Sequence, residues 1–333
     1  MRRETGRVGG LAFFNDGRRA VTGSWDETLG IWDVQKGILL GELLQGHQGG
    51  VTSVAVSPDD KRIASGGQDG TVIIWDVERK QTVFKLDKHA DKVNCVCFSP
   101  DGKRLASGSN DGTAVIWDSE TGTIFTTLVV QGKVGRWVTS LAFSRDGLKL
   151  ASTTMSGMIR VYRTDNGELL LKFKAHKIWV CGIVWSPDGG QPLISASHDK
   201  TVKFWNSSTG RQIGQPCIGH TDWIYSLAIA SDGSFIATAS NDKTIRLWCT
   251  KTYQQIGQPL ELPSAVVCVA ISTNGALLAS GPWGGNSYLW SIGNTLYRQD
   301  GQERYKEGPG MEQKLSEVVS LQFVLLFHHI SRG

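Results

Sequence analysis

Short apolar runs separated by polar turn residues recur along this chain, four runs to a set. The stretch Lys88–Asp118 shows one set most plainly. Its apolar run Val93–Phe98 predicts a first strand. Ser99-Pro100-Asp101-Gly102 follows as a turn, because proline presets one turn angle and glycine accepts positive φ. Lys103–Ser109 predicts a second strand and ends at Asn110-Asp111-Gly112, where Asp-Gly is a strong hairpin signal. A third strand closes on Trp117-Asp118, and Ile124–Val130 supplies a fourth. Four short strands joined by tight turns predict one small antiparallel sheet.

The set repeats. The closing aromatics Trp32, Trp75, Trp117, Tyr162, Trp205, Trp248 and Trp290 are spaced by 43, 42, 45, 43, 43 and 42 residues. First strands are expected to begin at Val8, Val51, Val93, Val138, Val180, Ile224 and Val266, which keeps the same period. Gly46-His47 with Trp75-Asp76, and Gly219-His220 with Trp248, add a Gly-His opening and a Trp-Asp ending to a period of about 40–45 residues. On these residues the chain resembles the WD-repeat family of β-propellers over about residues 8–292. The resemblance implies an all-β, seven-bladed propeller of four-stranded antiparallel blades. The wording of repeats five and six (TGRQIGQP, GHTDW, SNDKTIRLW) is similar to large fungal WD-repeat families, some of which carry a nucleotide-binding domain ahead of the propeller.

The copies are unequal. Repeat one opens at Val8 without a Gly-His, and its strands are expected near Val8–Phe14, Arg18–Gly23, Thr28–Val34 and Ile38–Leu43. Repeat four has Gly132-Lys133 in place of Gly-His, Ser156 where the turn aspartate belongs, and Tyr162 for tryptophan. Repeat seven has Gly284 at the aspartate position and no histidine. Beyond Trp290 the register is lost. Glu317–Phe323 looks like another first strand, but Val318 comes 52 residues after Val266. The apolar part, Val318–Ile330, is 13 residues long, against about 20 for a bilayer span. WD-repeat chains usually supply the last blade's outer strand from the N-terminus, and Met1–Arg7 is short and polar for that task. The outer strand of blade seven is therefore expected from Thr295–Gln299, from the tail, or not at all. The expected division is a propeller over 1–299 and a tail, or the stump of a further repeat, over 300–333.

Composition changes this picture little. Seven such units use nearly all 333 residues and point to one domain. The net charge of +4 is scattered through the turns with no basic run, which disfavours a nucleic-acid footprint. MRRETGR is not followed by the apolar stretch of a secretory signal. The six cysteines fall mostly in strand positions without metal-ligand spacing, and Cys95 and Cys97 share a sheet face. They suit small buried hydrophobes in a reducing interior, with cytoplasm and nucleus not distinguished. No Walker-type loop and no HExxH occurs, so neither a cofactor nor a metal is expected.

Four sets of side chains could be mistaken for a hydrolase: His47/Ser65/Asp69/Trp75, His89/Ser107/Asp111/Trp117, His176/Ser195/Asp199/Trp205 and His220/Thr238/Asp242/Trp248. A catalytic site has no reason to recur once per blade, and no G-x-S-x-G elbow is present. A buried indole N–H needs an acceptor, and a hydroxyl backed by imidazole and carboxylate supplies one. The family resemblance implies that each set is a structural tetrad.

Of the 12 tryptophans, six close blades and Trp185 stands in a first strand as core. Trp137, Trp179 and Trp223 each precede a first strand by one residue; Trp25 and Trp283 each precede a second-hairpin turn. The resemblance places both positions on one face, around the channel, and Met155 and His198 join them. Packing between blades is the competing role for each. The expected function is a non-catalytic scaffold binding a protein or peptide segment on that face. Two rivals stand beside it: the sensor part of a larger fungal nucleotide-regulated protein, and an RNA- or DNA-binding propeller with stacking aromatics, for which the basic groove is wanting. No membrane partner is expected.

Overall fold

The structure, a computed structural model, describes residues 6–130, 135–187, 192–284, 287–292 and 321–322. Seven antiparallel sheets succeed one another along the chain, each with its strands in sequence order. The architecture is a seven-bladed β-propeller, and every first strand begins at the residue expected from the repeat. In blade three the strands are Val93–Phe98, Arg104–Ser109, Thr113–Asp118 and Ile124–Val129.

The outer strand of blade one differs from the expectation, and that of blade seven comes from one of the sources expected. In blade one the single run Ile38–Leu43 is replaced by two short pieces, Ile38–Leu39 and Leu44–Gln45, each paired with the third strand Thr28–Asp33. The break contains Gly41 at φ 90°, a left-handed conformation that interrupts a strand ladder. In blade seven, Leu321 and Gln322 pair with Leu289 and Tyr288, so the tail supplies the fourth strand. Thr295–Gln299, the other source considered, and the Gly132-Lys133 loop lie outside the described residues.

The core lies between the blades. Each closing aromatic from blade two onward packs on the blade before it: Trp75 meets Leu29 and Ile31, and Trp117 meets Ile74 and Leu86. Tyr162 meets Ile116 and Leu128 in the same way, and Trp205 meets Ala151 and Val161. Second strands are built from small residues because the next blade presses on them. A Cβ added at Gly66 or Gly108 would sit 2.5 Å from the Cγ1 of Val93 or Val138, the valine that opens the following blade. Trp185 is buried, and its indole N–H donates to the Ala142 carbonyl of blade four at 2.9 Å.

Every first strand carries a bulge immediately after its opening residue. The extra residue leaves the ladder and re-aims its side chain. These residues are Gly9, Thr52, Asn94, Thr139, Cys181, Tyr225 and Val267, and all seven line one central cavity. Four of them stitch neighbouring blades. Thr52 donates to the Val93 carbonyl, Asn94 to Val138, Thr139 to Val180 and Cys181 to Ile224. Ring closure brings blade seven against blade one, where Val267 and Cys268 pack on Val8, and the Thr273 hydroxyl donates to the Asn15 carbonyl at 3.2 Å.

Candidate functional site

Two slots recur at one end of the channel. The residue before each first strand is, in blade order, Arg7, Gly50, Lys92, Trp137, Trp179, Trp223 and Ala265. The residue before each second-hairpin turn is Trp25, Gln68, Asn110, Met155, His198, Asn241 and Trp283. In all seven blades the backbone N–H of the second slot donates to the carbonyl of the first, at 2.7–3.3 Å. The blade frame therefore holds the two side chains next to each other whatever they are. Blades four, five, six, seven and one carry the aromatics, and blades two and three carry polar residues and glycine.

The aromatics gather in two groups. In one, Trp137 and Trp179 lie with ring centroids 6.0 Å apart, and His198 meets Trp179 edge-on at 4.7 Å. The other face of His198 stacks on Trp223 at 5.1 Å with 3° between planes, and Tyr225 meets its edge at 5.4 Å. In the second group the Arg7 guanidinium lies 4.7 Å from the Trp25 ring centre and 3.7 Å from that of Trp283. Trp25, Trp223 and Trp283 remain 40%, 46% and 50% exposed. Together with Trp179, His198, Tyr225, Arg7, Lys92 and Asn94 they border the central cavity, whose volume is about 520 Å³.

Two members of the expected set stand apart. Trp137 touches Trp179 without bordering the cavity, and Met155, 39% exposed, sits at its slot away from it. His198 is only 7% exposed and acts as the wedge between two indoles rather than as a surface group. Burial pushes its pKa down to about 4, with Asp222 acting in the opposite direction, so the imidazole is neutral at neutral pH. The Trp179 indole N–H is buried and finds no acceptor among the described residues. Arg7, Lys92 and Tyr225 do not stand out in the sequence: Arg7 and Lys92 occupy the first slot of blades one and three, where a charge reads as solvated surface, and Tyr225 is a bulge residue outside both slots.

The four tetrads assemble with one geometry. In blade three Trp117 Nε1 donates to Ser107 Oγ at 2.8 Å, and the serine is 2.8 Å from His89 Nε2. The Asp111 carboxylate can only accept, so Nδ1 carries the ring proton and donates to it at 3.0 Å. In that tautomer Nε2 accepts the serine O–H while Oγ accepts from the indole. Blades two, five and six repeat this through Trp75/Ser65/His47/Asp69, Trp205/Ser195/His176/Asp199 and Trp248/Thr238/His220/Asp242. A threonine two residues after the aspartate joins each set, Thr113 donating to Asp111 at 2.7 Å, and the backbone N–H after the histidine donates to the same carboxylate. Burial alone would raise the Asp111 carboxyl, but the His89 and Thr113 hydrogen bonds outweigh it and hold the group far below the carboxylate range. The hydroxyls Ser65, Ser107, Ser195 and Thr238 are fully buried. Blade one keeps Trp32 donating to Thr22 at 2.7 Å and Thr28 donating to Asp26 at 2.6 Å, and blade seven keeps Trp290 donating to Ser280 at 3.2 Å.

Six stretches, residues 2–33, 38–76, 80–118, 126–163, 167–206 and 211–249, match the WD domain, G-beta repeat family. The chain belongs to the WD-repeat family. The structure adds a seventh blade beyond the matched stretches. Among curated relatives of this WD-repeat protein, "WD repeat and SOCS box-containing protein 1" of Homo sapiens is 34% identical over 94 residues, 28% of this chain and 22% of that protein. "WD repeat-containing protein 1" of Gallus gallus is 40% identical over 74 residues, 21% of this chain and 12% of that protein. The fungal "Protein HIR1" of Cryptococcus neoformans is 34% identical over 105 residues, 30% of this chain and 12% of that protein. The chain thus spans about a fifth, or less, of the length of these relatives. Among its described residues no helix is long and apolar enough to cross a membrane.

The WD-repeat protein should lose stability on acidification above the range where ordinary carboxylates titrate. His198 has a folded pKa of about 4 against an ordinary 6.5, so the unfolded chain takes up a proton that the native state refuses. Stability from this group is complete above 6.5 and falls as pH drops toward 4. His47 and His176 are lowered in the same direction, by burial first and against their aspartates. The tetrad aspartates add their loss only at lower pH, as it falls below the ordinary 3.8 toward their depressed folded values. Melting temperatures measured from pH 7 to about 4.5 should decline, and His198→Asn should flatten part of the slope. A level profile for the natural protein would contradict this.

Proposed function

We propose that this propeller is a non-catalytic scaffold that binds a protein or peptide segment at the Trp-bordered mouth of its channel. The observation that carries the reading is the set of three tryptophans, Trp25, Trp223 and Trp283, left 40–50% exposed around one cavity by slots that the blade frame repeats. Exposed indoles side by side are costly in water, and binding hot spots are enriched in tryptophan. The tetrads support a non-catalytic reading, since each hydroxyl is sealed from solvent and already committed to the indole and imidazole beside it.

The test is Trp223→Ala, read by melting temperature and by capture of partners from cell extract. Trp223 is 46% exposed and stacks on one neighbour, so the variant should melt within a few degrees of the natural protein. A fully desolvated indole of about 150–250 Å² is worth a gross ~4–6 kcal/mol at about 25 cal/mol per Å², before ordering costs. Capture should therefore drop at least tenfold. Trp179→Ala, which unpacks Trp137 and His198, should lower the melt as well. Undiminished capture by Trp223→Ala would place the binding surface elsewhere.

A further inference from the structure

Resting on the peptide-binding reading above, we infer that the channel mouth is selective for an acidic peptide, with Arg7 and Lys92 receiving one carboxylate side chain beside Trp25 and Trp283. Among the described residues bordering the cavity there are two permanent cations, Arg7 and Lys92, and no aspartate or glutamate. Neither cation forms a salt bridge among the described residues, and Arg7 Nε is buried without a hydrogen-bond partner. The acids nearest the two cations in sequence are Asp91, beside Lys92, and Glu4, three residues before Arg7, which lies outside the described residues. Asp222 accepts from Asn241 at 2.6 Å and from the Trp223 backbone at 2.8 Å, and Asp91 accepts from the Lys92 backbone at 2.6 Å.

The physical state of the two groups fits a missing counter-charge. Burial lowers the pKa of Arg7, and burial followed by the charge of Arg7 lowers that of Lys92, with Asp91 opposing. Partly buried like charges that repel one another are relieved by an anion between them. Arg7 is also arranged to present itself. The rings of Trp25 and Trp283 approach its plane, and a guanidinium stacked on aromatics keeps its N–H edge for planar, bidentate contact with a carboxylate. The same contacts close the slot to an incoming cation, because Arg7 already occupies the indole faces. Blades five and six supply aromatic walls of the same cavity, Trp179, Trp223 and Tyr225, for the residues flanking the acid.

The experiment is selection of random 12-residue peptides displayed on phage against the full chain, followed by synthesis of the enriched peptide with Glu or Gln at the selected position. Enriched peptides should share one Asp or Glu. The Glu→Gln peptide should bind about tenfold or more weakly, and that difference should shrink as salt rises. Lys92→Gln should narrow the difference between the Glu and Gln peptides several-fold, with the remainder carried by Arg7. Lys92 is the decisive variant because Arg7 also bridges blades one and seven, and Arg7→Gln is read only where its melt is native-like. Peptides that need Trp223 but show no acidic preference would overturn the carboxylate site and leave the peptide-binding face standing. Failure to enrich any peptide that depends on Trp223 would overturn both. A phosphoserine peptide binding tenfold more tightly than its Glu counterpart would replace carboxylate with phosphate and overturn the assignment made here.

Discussion

Asp111→Ala should lower the stability of the protein by about 3–5 kcal/mol, the cost of stripping one partner from a buried, hydrogen-bonded pair. Four donors lose their acceptor at once: His89 Nδ1, the backbone N–H of Ala90, and both the backbone N–H and the hydroxyl of Thr113. Each buried donor left unmet costs about 1–3 kcal/mol, and part of that is recovered where water can enter. The damage spreads along the relay, since His89 fixes Ser107 and Ser107 holds Trp117 against blade two. Asp101→Ala is the control. That carboxylate accepts from the Ser99 hydroxyl at 2.5 Å and the Lys103 backbone at 3.1 Å, but in an exposed turn, and its loss should cost within about 0.5–1 kcal/mol. Midpoints of chemical denaturation measure both. Equal midpoints would show that the tetrad is dispensable.

Gly9→Thr should also be strongly destabilising, although the repeat recommends threonine there. The equivalent bulge residues of blades two and four are Thr52 and Thr139, and each hydroxyl donates to the opening carbonyl of the next blade. By analogy a threonine at position 9 would donate to Val51. The local distances forbid it: a Cβ at Gly9 would lie 2.2 Å from the Val51 carbonyl oxygen and 3.1 Å from Thr52 Cα and Trp25 Nε1. Two of those atoms are main chain of the neighbouring blade, so relief requires blades one and two to part. Overpacking of this kind costs about 1–3 kcal/mol and sometimes more. The reverse change, Thr52→Gly, should cost about 1 kcal/mol for its hydrogen bond. A Gly9→Thr variant with an unchanged or raised denaturation midpoint would show that the blades yield more easily than their packing indicates.

The two variants also mark what could be seen in the sequence. Strand starts at Val8 through Val266 were legible because turn chemistry and alternating polarity are local, and each copy of the repeat corrects the others. The tetrad members were legible by their fixed offsets, although the threonine at Thr71, Thr113, Thr201 and Thr244 went unremarked because its role appears only once Asp69, Asp111, Asp199 and Asp242 are seen to collect four donors. Arg7 and Lys92 shared a slot with Trp137, Trp179 and Trp223, yet slot identity says nothing about which charge lacks a partner. That depends on all seven blades at once. The burial of His198 is made by Trp179 and Trp223 on either side, contacts between blades that its slot position alone does not reveal. The split outer strand of blade one turns on a left-handed Gly41, and the short strand Leu321–Gln322 belongs to a stretch whose repeat register had lapsed.

The link between the two slots is main chain to main chain in every blade. That link is independent of the side chains displayed there, even though Trp179, His198 and Arg7 also pack on their neighbours, while each tetrad depends on its particular side chains. Substitutions at the fourteen slot positions can therefore alter what the mouth presents while the main-chain bond between the slots stays available. Blades two and three already differ in this way from blades five and six, with glutamine, asparagine, glycine and lysine in one half and tryptophan in the other. A frame built so can display a different ring of side chains while its blades stay as they are.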